Sequence, residues 1–113
     1  MSYQIIKEES YVVVNLTADR LDTLIAPSLK SEFVVLNNDG VKNIIINLES
    51  ANYCDSSGLS SILVANRLCN GSEGKLVICN LNQPVQNIIS ISKLDSVLSI
   101  APTLDDAKNL IQN

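Results

Sequence analysis

The sequence predicts an α/β domain built on a mostly parallel sheet, and three observations carry that prediction. Asn43-Ile44-Ile45-Ile46-Asn47-Leu48 and Lys75-Leu76-Val77-Ile78-Cys79 are short, apolar and rich in β-branched residues, the pattern of strands buried on both faces of a parallel sheet. Around them apolar residues recur at helical spacing, so strands and helices alternate along the chain. The opening pair of β-rich runs lies too close in sequence for a crossover helix, and reads instead as an antiparallel hairpin. The predicted order is β-β-α-β-α-β-α-β-α, a mixed, mostly parallel sheet with an N-terminal hairpin and about four helices.

Each element has its own reason. Tyr3-Gln4-Ile5-Ile6-Lys7 and Tyr11-Val12-Val13-Val14-Asn15-Leu16 form the hairpin, turned by Glu8-Glu9-Ser10. A helix starts at Ala26-Pro27, where proline suits the first turn. Leu29, Phe33 and Leu36 mark its apolar face, and Asn37-Asn38-Asp39-Gly40 ends it. After the Ile44–Ile46 strand the chain turns at Tyr53-Cys54-Asp55-Ser56-Ser57-Gly58 into a second helix. Leu59, Ile62, Leu63, Ala65 and Cys69 keep helical spacing there, and Asn70-Gly71 stops it. Pro84 opens a third helix with Val85, Ile88 and Ile89 inward, and Val97-Leu98-Ser99-Ile100 is a short last strand. Thr103 then caps a helix whose first turn carries Asp105 and Asp106, with Leu104, Ala107, Leu110 and Ile111 apolar.

At 113 residues the chain suits one domain, residues 1–113, large enough to close a core. With 46% hydrophobic and 18% charged residues it is globular rather than disordered. The net charge of -4, with Lys and Arg scattered, argues against a nucleic-acid footprint. No run is long enough to cross a membrane and Met1-Ser2-Tyr3-Gln4 opens no signal peptide, so a cytoplasmic protein is expected. Cys54, Cys69 and Cys79 are odd in number and sit among apolar residues, as small reduced core side chains do. Without histidine or a Cys-x₂-Cys pair, neither a metal site nor a cofactor is expected.

The strand-to-helix turn at Asp55-Ser56-Ser57-Gly58 lies where open α/β sheets meet ligands and partners, outside the carboxyl end of a strand. A serine-hydrolase elbow would read Gly-x-Ser-x-Gly and need a histidine base; neither exists here. Asn70-Gly71-Ser72-Glu73-Gly74-Lys75 ends like a phosphate-binding loop, yet Leu76 follows the lysine and the loop leads into a strand, so it reads as an exposed turn. Two readings stay open for the serines. Asp-Ser-Ser-Gly can be a plain helix cap and tight turn. Alternatively, Ser56 or Ser57 accepts a phosphoryl group, which at a helix start meets unpaired N–H groups and adds about −1.5 to −2 charges without opposing the helix.

Asn47-Leu48-Glu49 followed by Tyr53-Cys54-Asp55-Ser56-Ser57-Gly58-Leu59-Ser60 resembles the signature of STAS domains, specifically bacterial anti-sigma factor antagonists. The resemblance implies a small α/β fold that is not an enzyme. It implies that the unphosphorylated protein binds an anti-sigma factor that is also a serine kinase, freeing a sigma factor for transcription. Phosphorylation of Ser56 then abolishes binding, and a PP2C-type phosphatase reverses it. By the same resemblance Asp22, Asp55, Ser56, Ser57 and Gly58 meet the partner: Asp55 presents the phosphoacceptor, Ser57 caps the helix, and Gly58 lets the backbone turn closely. Two departures stand out. Leu16-Thr17-Ala18-Asp19-Arg20-Leu21-Asp22 is one residue longer than the family's Leu-x-Gly-x-Leu-Asp and lacks its glycine, and Cys54 replaces the common methionine. STAS domains also serve as non-phosphorylated scaffold or adaptor subunits of sensory and transport assemblies, which is the alternative reading.

Overall fold

The computed structural model describes residues 2–112. Strands β1 (Tyr3–Lys7) and β2 (Val12–Leu16) pair antiparallel, from Tyr3 opposite Leu16 to Lys7 opposite Val12, and the Glu8 amide closes the turn on the Tyr11 carbonyl at 2.9 Å. Next come β3 (Arg20–Leu21), α1 (Ala26–Asn38), β4 (Ile44–Asn47), β5 (Tyr53–Cys54) and α2 (Ser56–Gly71). The chain continues through β6 (Leu76–Cys79), α3 (Gln83–Ile91), a 3-10 turn at Leu94–Ser96, β7 (Ser99–Ala101) and α4 (Leu104–Gln112). The main sheet has the order β1-β2-β4-β6-β7, and every pair after the opening hairpin is parallel. This is the mixed sheet and helix count that the sequence predicts.

Alternation across the pleat sorts the strand residues into two cores. Val12, Val14, Leu16, Ile44, Ile46, Leu76 and Ile78 face α1, α2 and α3, where Leu29, Phe33, Ile62 and Ile89 are almost fully buried. Val13, Ile45, Val77 and Cys79 face the other way and are covered by Ala107 with Leu104 and Ile111 of α4. Both faces of β4 and β6 are therefore dry, which is why their sequences run apolar without alternation.

Two features differ from the sequence reading. The last strand begins at Ser99, because the amides of Val97 and Leu98 both go to the Leu94 carbonyl, at 3.0 and 2.9 Å, closing the 3-10 turn before the ladder can start. A second, two-stranded sheet also exists: β3 and β5 run parallel, with Arg20 opposite Tyr53 and Leu21 opposite Cys54. Strands of two residues leave no periodic trace in a sequence.

Candidate functional site

The small β3–β5 sheet brings the loop after β2 against the start of α2. The approach to β5 is anchored by asparagines at the carboxyl ends of the central strands. Buried Asn47 accepts the Glu49 amide at 3.1 Å and the Asn80 side-chain amide at 3.0 Å, while Asn82 Nδ2 donates to the carbonyls of Glu49 and Ala51, both at 2.8 Å. These contacts fix a loop that carries no regular structure of its own. Nothing in the periodicity points to them; the asparagines directly after two apolar runs were the available signal.

Asp55 then stops the strand. Its backbone is extended (φ −108°, ψ −172°), its Oδ1 accepts the Gly58 amide at 3.0 Å and its carbonyl accepts the Leu59 amide at 3.0 Å. It is the N-cap. Ser56 and Ser57 are the first two residues of the helix, so by position their N–H groups have no intrahelical acceptor. No acidic residue lies in the first turn after the cap. Ser56 is exposed, Ser57 and Asp55 are half-buried and Gly58 is buried.

Two roles implied by the resemblance are corrected here. Asp55, not Ser57, caps the helix, because Ser57 already has helical backbone and lies inside the first turn. Gly58 is needed for close packing rather than for a turn: a Cβ there would meet the Leu21 carbonyl oxygen, and would lie 2.8 Å from Cys54 Sγ and 2.9 Å from Leu21 Cγ. The same Leu21 carbonyl takes the Asp55 amide at 3.3 Å. Helix and small sheet are thus in backbone contact at this point.

Asp22 follows Leu21 and so comes up beside Asp55. Its Oδ1 accepts the Leu24 amide at 3.1 Å, its Oδ2 pairs with Arg20 Nε at 3.2 Å, and its carboxyl side chain is only 14% exposed. The Arg20 guanidinium lies 4.0 Å from the centre of the Tyr53 ring across the strand pair. Asn52 binds Asp19 twice, amide to carbonyl at 2.8 Å and side chain to Oδ1 at 2.7 Å. The structure therefore brings Asp22, Asp55, Ser56, Ser57 and Gly58 together. Arg20, Tyr53 and Leu24, which the sequence reading does not name as site residues, connect to this group through Asp22.

The remaining candidates do not form sites. The thiols of Cys54, Cys69 and Cys79 are free and buried. Burial raises Cys54 to about 12, helped by the negative charge of Asp55; it raises Cys69 and Cys79 to about 11. Such thiols are inert packing groups at neutral pH. The expectation that the chain holds no Ser-x-x-Lys spacing of a lysine-assisted serine is wrong, since Ser72 and Lys75 have it. In the fold they are separately engaged, the Ser72 hydroxyl with Asn37 Oδ1 at 2.7 Å and Lys75 Nζ with the Leu110 carbonyl at 3.1 Å.

A mixed sheet with a capped helix start and an exposed hydroxyl beside it defines a small α/β module. Residues 2–107 match the family model of the STAS domain, and the chain belongs to that family. It is 32% identical over 59 residues to an anti-sigma F factor antagonist of Paenibacillus polymyxa, a match that spans 52% of this chain and about half, 50%, of that protein. It is 25% identical over 80 residues to an anti-sigma-B factor antagonist of Staphylococcus aureus, covering 71% of this chain and 74% of that one. Among solved structures, the anti-sigma factor antagonist SpoIIAA in its unphosphorylated form superimposes with a TM-score of 0.84 at 22% identity, covering 97% of this chain and 96% of the other. At that identity the likeness speaks for the fold. Among the described residues no helix is long and apolar enough to cross a membrane.

Proposed function

We propose that this chain is an anti-sigma factor antagonist switched at Ser56. The observation that carries the reading is the exposed Ser56 hydroxyl at the first position of a helix capped by Asp55, in a chain whose curated relatives bear that name. Residues 1–113 act as one STAS domain. In the unphosphorylated state the surface around Asp22, Asp55, Ser56, Ser57 and Gly58 binds an anti-sigma factor serine kinase in the cytoplasm, and the sigma factor is released to transcribe. The protein is a regulatory binding partner rather than an enzyme.

Release follows from charge. The kinase moves the γ-phosphoryl group of ATP to Ser56 Oγ; the hydroxyl proton leaves to a base of the kinase, and ADP departs. The product places about −1.5 to −2 charges beside the carboxylates of Asp55 and Asp22. A contact surface tuned to a neutral hydroxyl then carries an uncompensated, heavily hydrated dianion, which costs several kcal/mol to bury against a partner. The helix itself tolerates the group, because the amides of Ser56 and Ser57 and the helix dipole favour an anion there. A PP2C-type phosphatase restores the hydroxyl with water, giving inorganic phosphate.

Incubation with a purified anti-sigma factor kinase of the same genome and ATP should label Ser56, as read by peptide mass spectrometry, and Ser56→Ala should abolish labelling while keeping binding. Absence of label with every such kinase would contradict the switch. One observation favours a second reading, a scaffold subunit that binds without phosphorylation: the lengthened, glycine-free loop at Thr17–Asp22 with its closed Arg20, Asp22 and Tyr53 cluster. On that reading Ser56→Ala and Ser56→Asp leave partner binding alike.

A further inference from the structure

Among the described residues Leu24 is the most exposed large apolar side chain, with 88% of its surface open. A lone exposed leucine is ordinary. The way this one is held is not. Its amide is fixed to Asp22 Oδ1 at 3.1 Å, and the next two amides, of Ile25 and Ala26, both bind the Asp22 carbonyl, at 3.1 and 2.9 Å. The Ile25 side chain is buried, so the turn cannot roll over to hide Leu24. Asp22 is itself braced through Oδ2 by Arg20, which stacks on Tyr53. A network rooted in β3 and β5 thus holds an apolar knob outward just after β3, the strand whose partner β5 leads into Asp55 and Ser56. A knob already fixed in this way loses little conformational freedom when a partner covers it.

Beside the knob lies an open hollow of about 290 Å³, bounded by Ala18, Asp19, Arg20, Asp22 and Leu24. Its carboxylates belong to Asp19 and Asp22. Among the described residues Arg20 is the one cation in its wall, and that charge is already engaged by Asp22 and the Tyr53 ring. The complement of such a surface is an apolar socket with Lys or Arg at its edge, one basic side chain entering the hollow.

We propose that Leu24 is the anchor of the partner-binding surface and that Arg20, Tyr53 and Asp22 position it for a protein partner presenting an apolar socket edged by basic side chains. This rests on the reading that an anti-sigma factor kinase binds at Ser56, and it names where that partner's grip lies. The test is titration calorimetry of one purified anti-sigma factor kinase of the same genome against the wild type, Leu24→Ser and, as a control on the opposite face of the sheet, Leu110→Ser. Each is run at about 0.05 and about 0.3 M salt, with melting curves to show that the variants fold.

Leu24→Ser should weaken binding about 10- to 100-fold. Leu110→Ser should stay within about twofold, and high salt should weaken the wild type. Binding by Leu24→Ser equal to wild type, or binding indifferent to salt, overturns the anchor while leaving the Ser56 switch standing. A kinase that fails to bind the wild type overturns both together.

Discussion

Two helix starts in this molecule are built from similar residues and are left with different charge. At α4, Thr103 Oγ1 accepts the Asp106 amide at 3.1 Å and donates back to Asp106 Oδ2 at 3.0 Å, with Asp105 in the same first turn. The positive end of that helix is already supplied with carboxylates, and the cap closes on itself. At α2 the only carboxylate is the cap, Asp55, and the first turn holds two serines. The one start is saturated with negative charge; the other is capped yet has room for an anion on an exposed hydroxyl. What separates a structural cap from a candidate switch is thus not the capping residue but what occupies the first two helical positions.

The sharpest way to break the comparison is to place charge at Ser56. Ser56→Asp should weaken binding to the anti-sigma factor kinase by about 2–5 kcal/mol, read by calorimetry, whereas an added acid at the first turn of α4 should leave it unchanged. Next in size, Gly58→Ala should cost about 1–3 kcal/mol in denaturant unfolding, because the new methyl group drives into the backbone at Leu21 and the Cys54 sulfur. Removing the caps comes third: Asp55→Ala and Thr103→Ala should each cost about 0.5–2 kcal/mol, and only the first should also alter partner binding.

The smallest effect concerns pH and belongs to neither helix start alone. A thiol whose folded pKa is raised disfavours ionisation in the folded state. The cysteines therefore contribute stability that is fully present below their ordinary value of 9.0 and is lost as pH climbs toward about 11 for Cys69 and about 12 for Cys54. Melting temperature should fall across that alkaline window, and replacing Cys54 by Ala should reduce the slope.

The sequence carried the large-scale order plainly. Ile44–Ile46 and Leu76–Cys79 announce doubly covered strands, and the Thr103 cap with its two aspartates marks the start of α4. The turn at Asp55-Ser56-Ser57-Gly58 was visible as a strand-to-helix junction. The division of labour within it was not, since either Asp or Ser makes a good cap and only backbone geometry shows that Asp55 takes the role. The β3–β5 pair, the Arg20 stack on Tyr53 and the asparagine braces were hidden for a different reason. They join residues some thirty positions apart through single contacts, and no periodicity records such pairings.

The central claim is that the start of α2 can gain a dianion without loss of fold while its docking surface fails. It is tested most directly by preparing the protein with phosphoserine at position 56 and measuring its thermal melt and its affinity for the anti-sigma factor kinase side by side. The account predicts a melting temperature unchanged within about 4 °C, with binding weakened at least about 30-fold. A collapse of the melt, or undiminished binding by the phosphorylated protein, would contradict it.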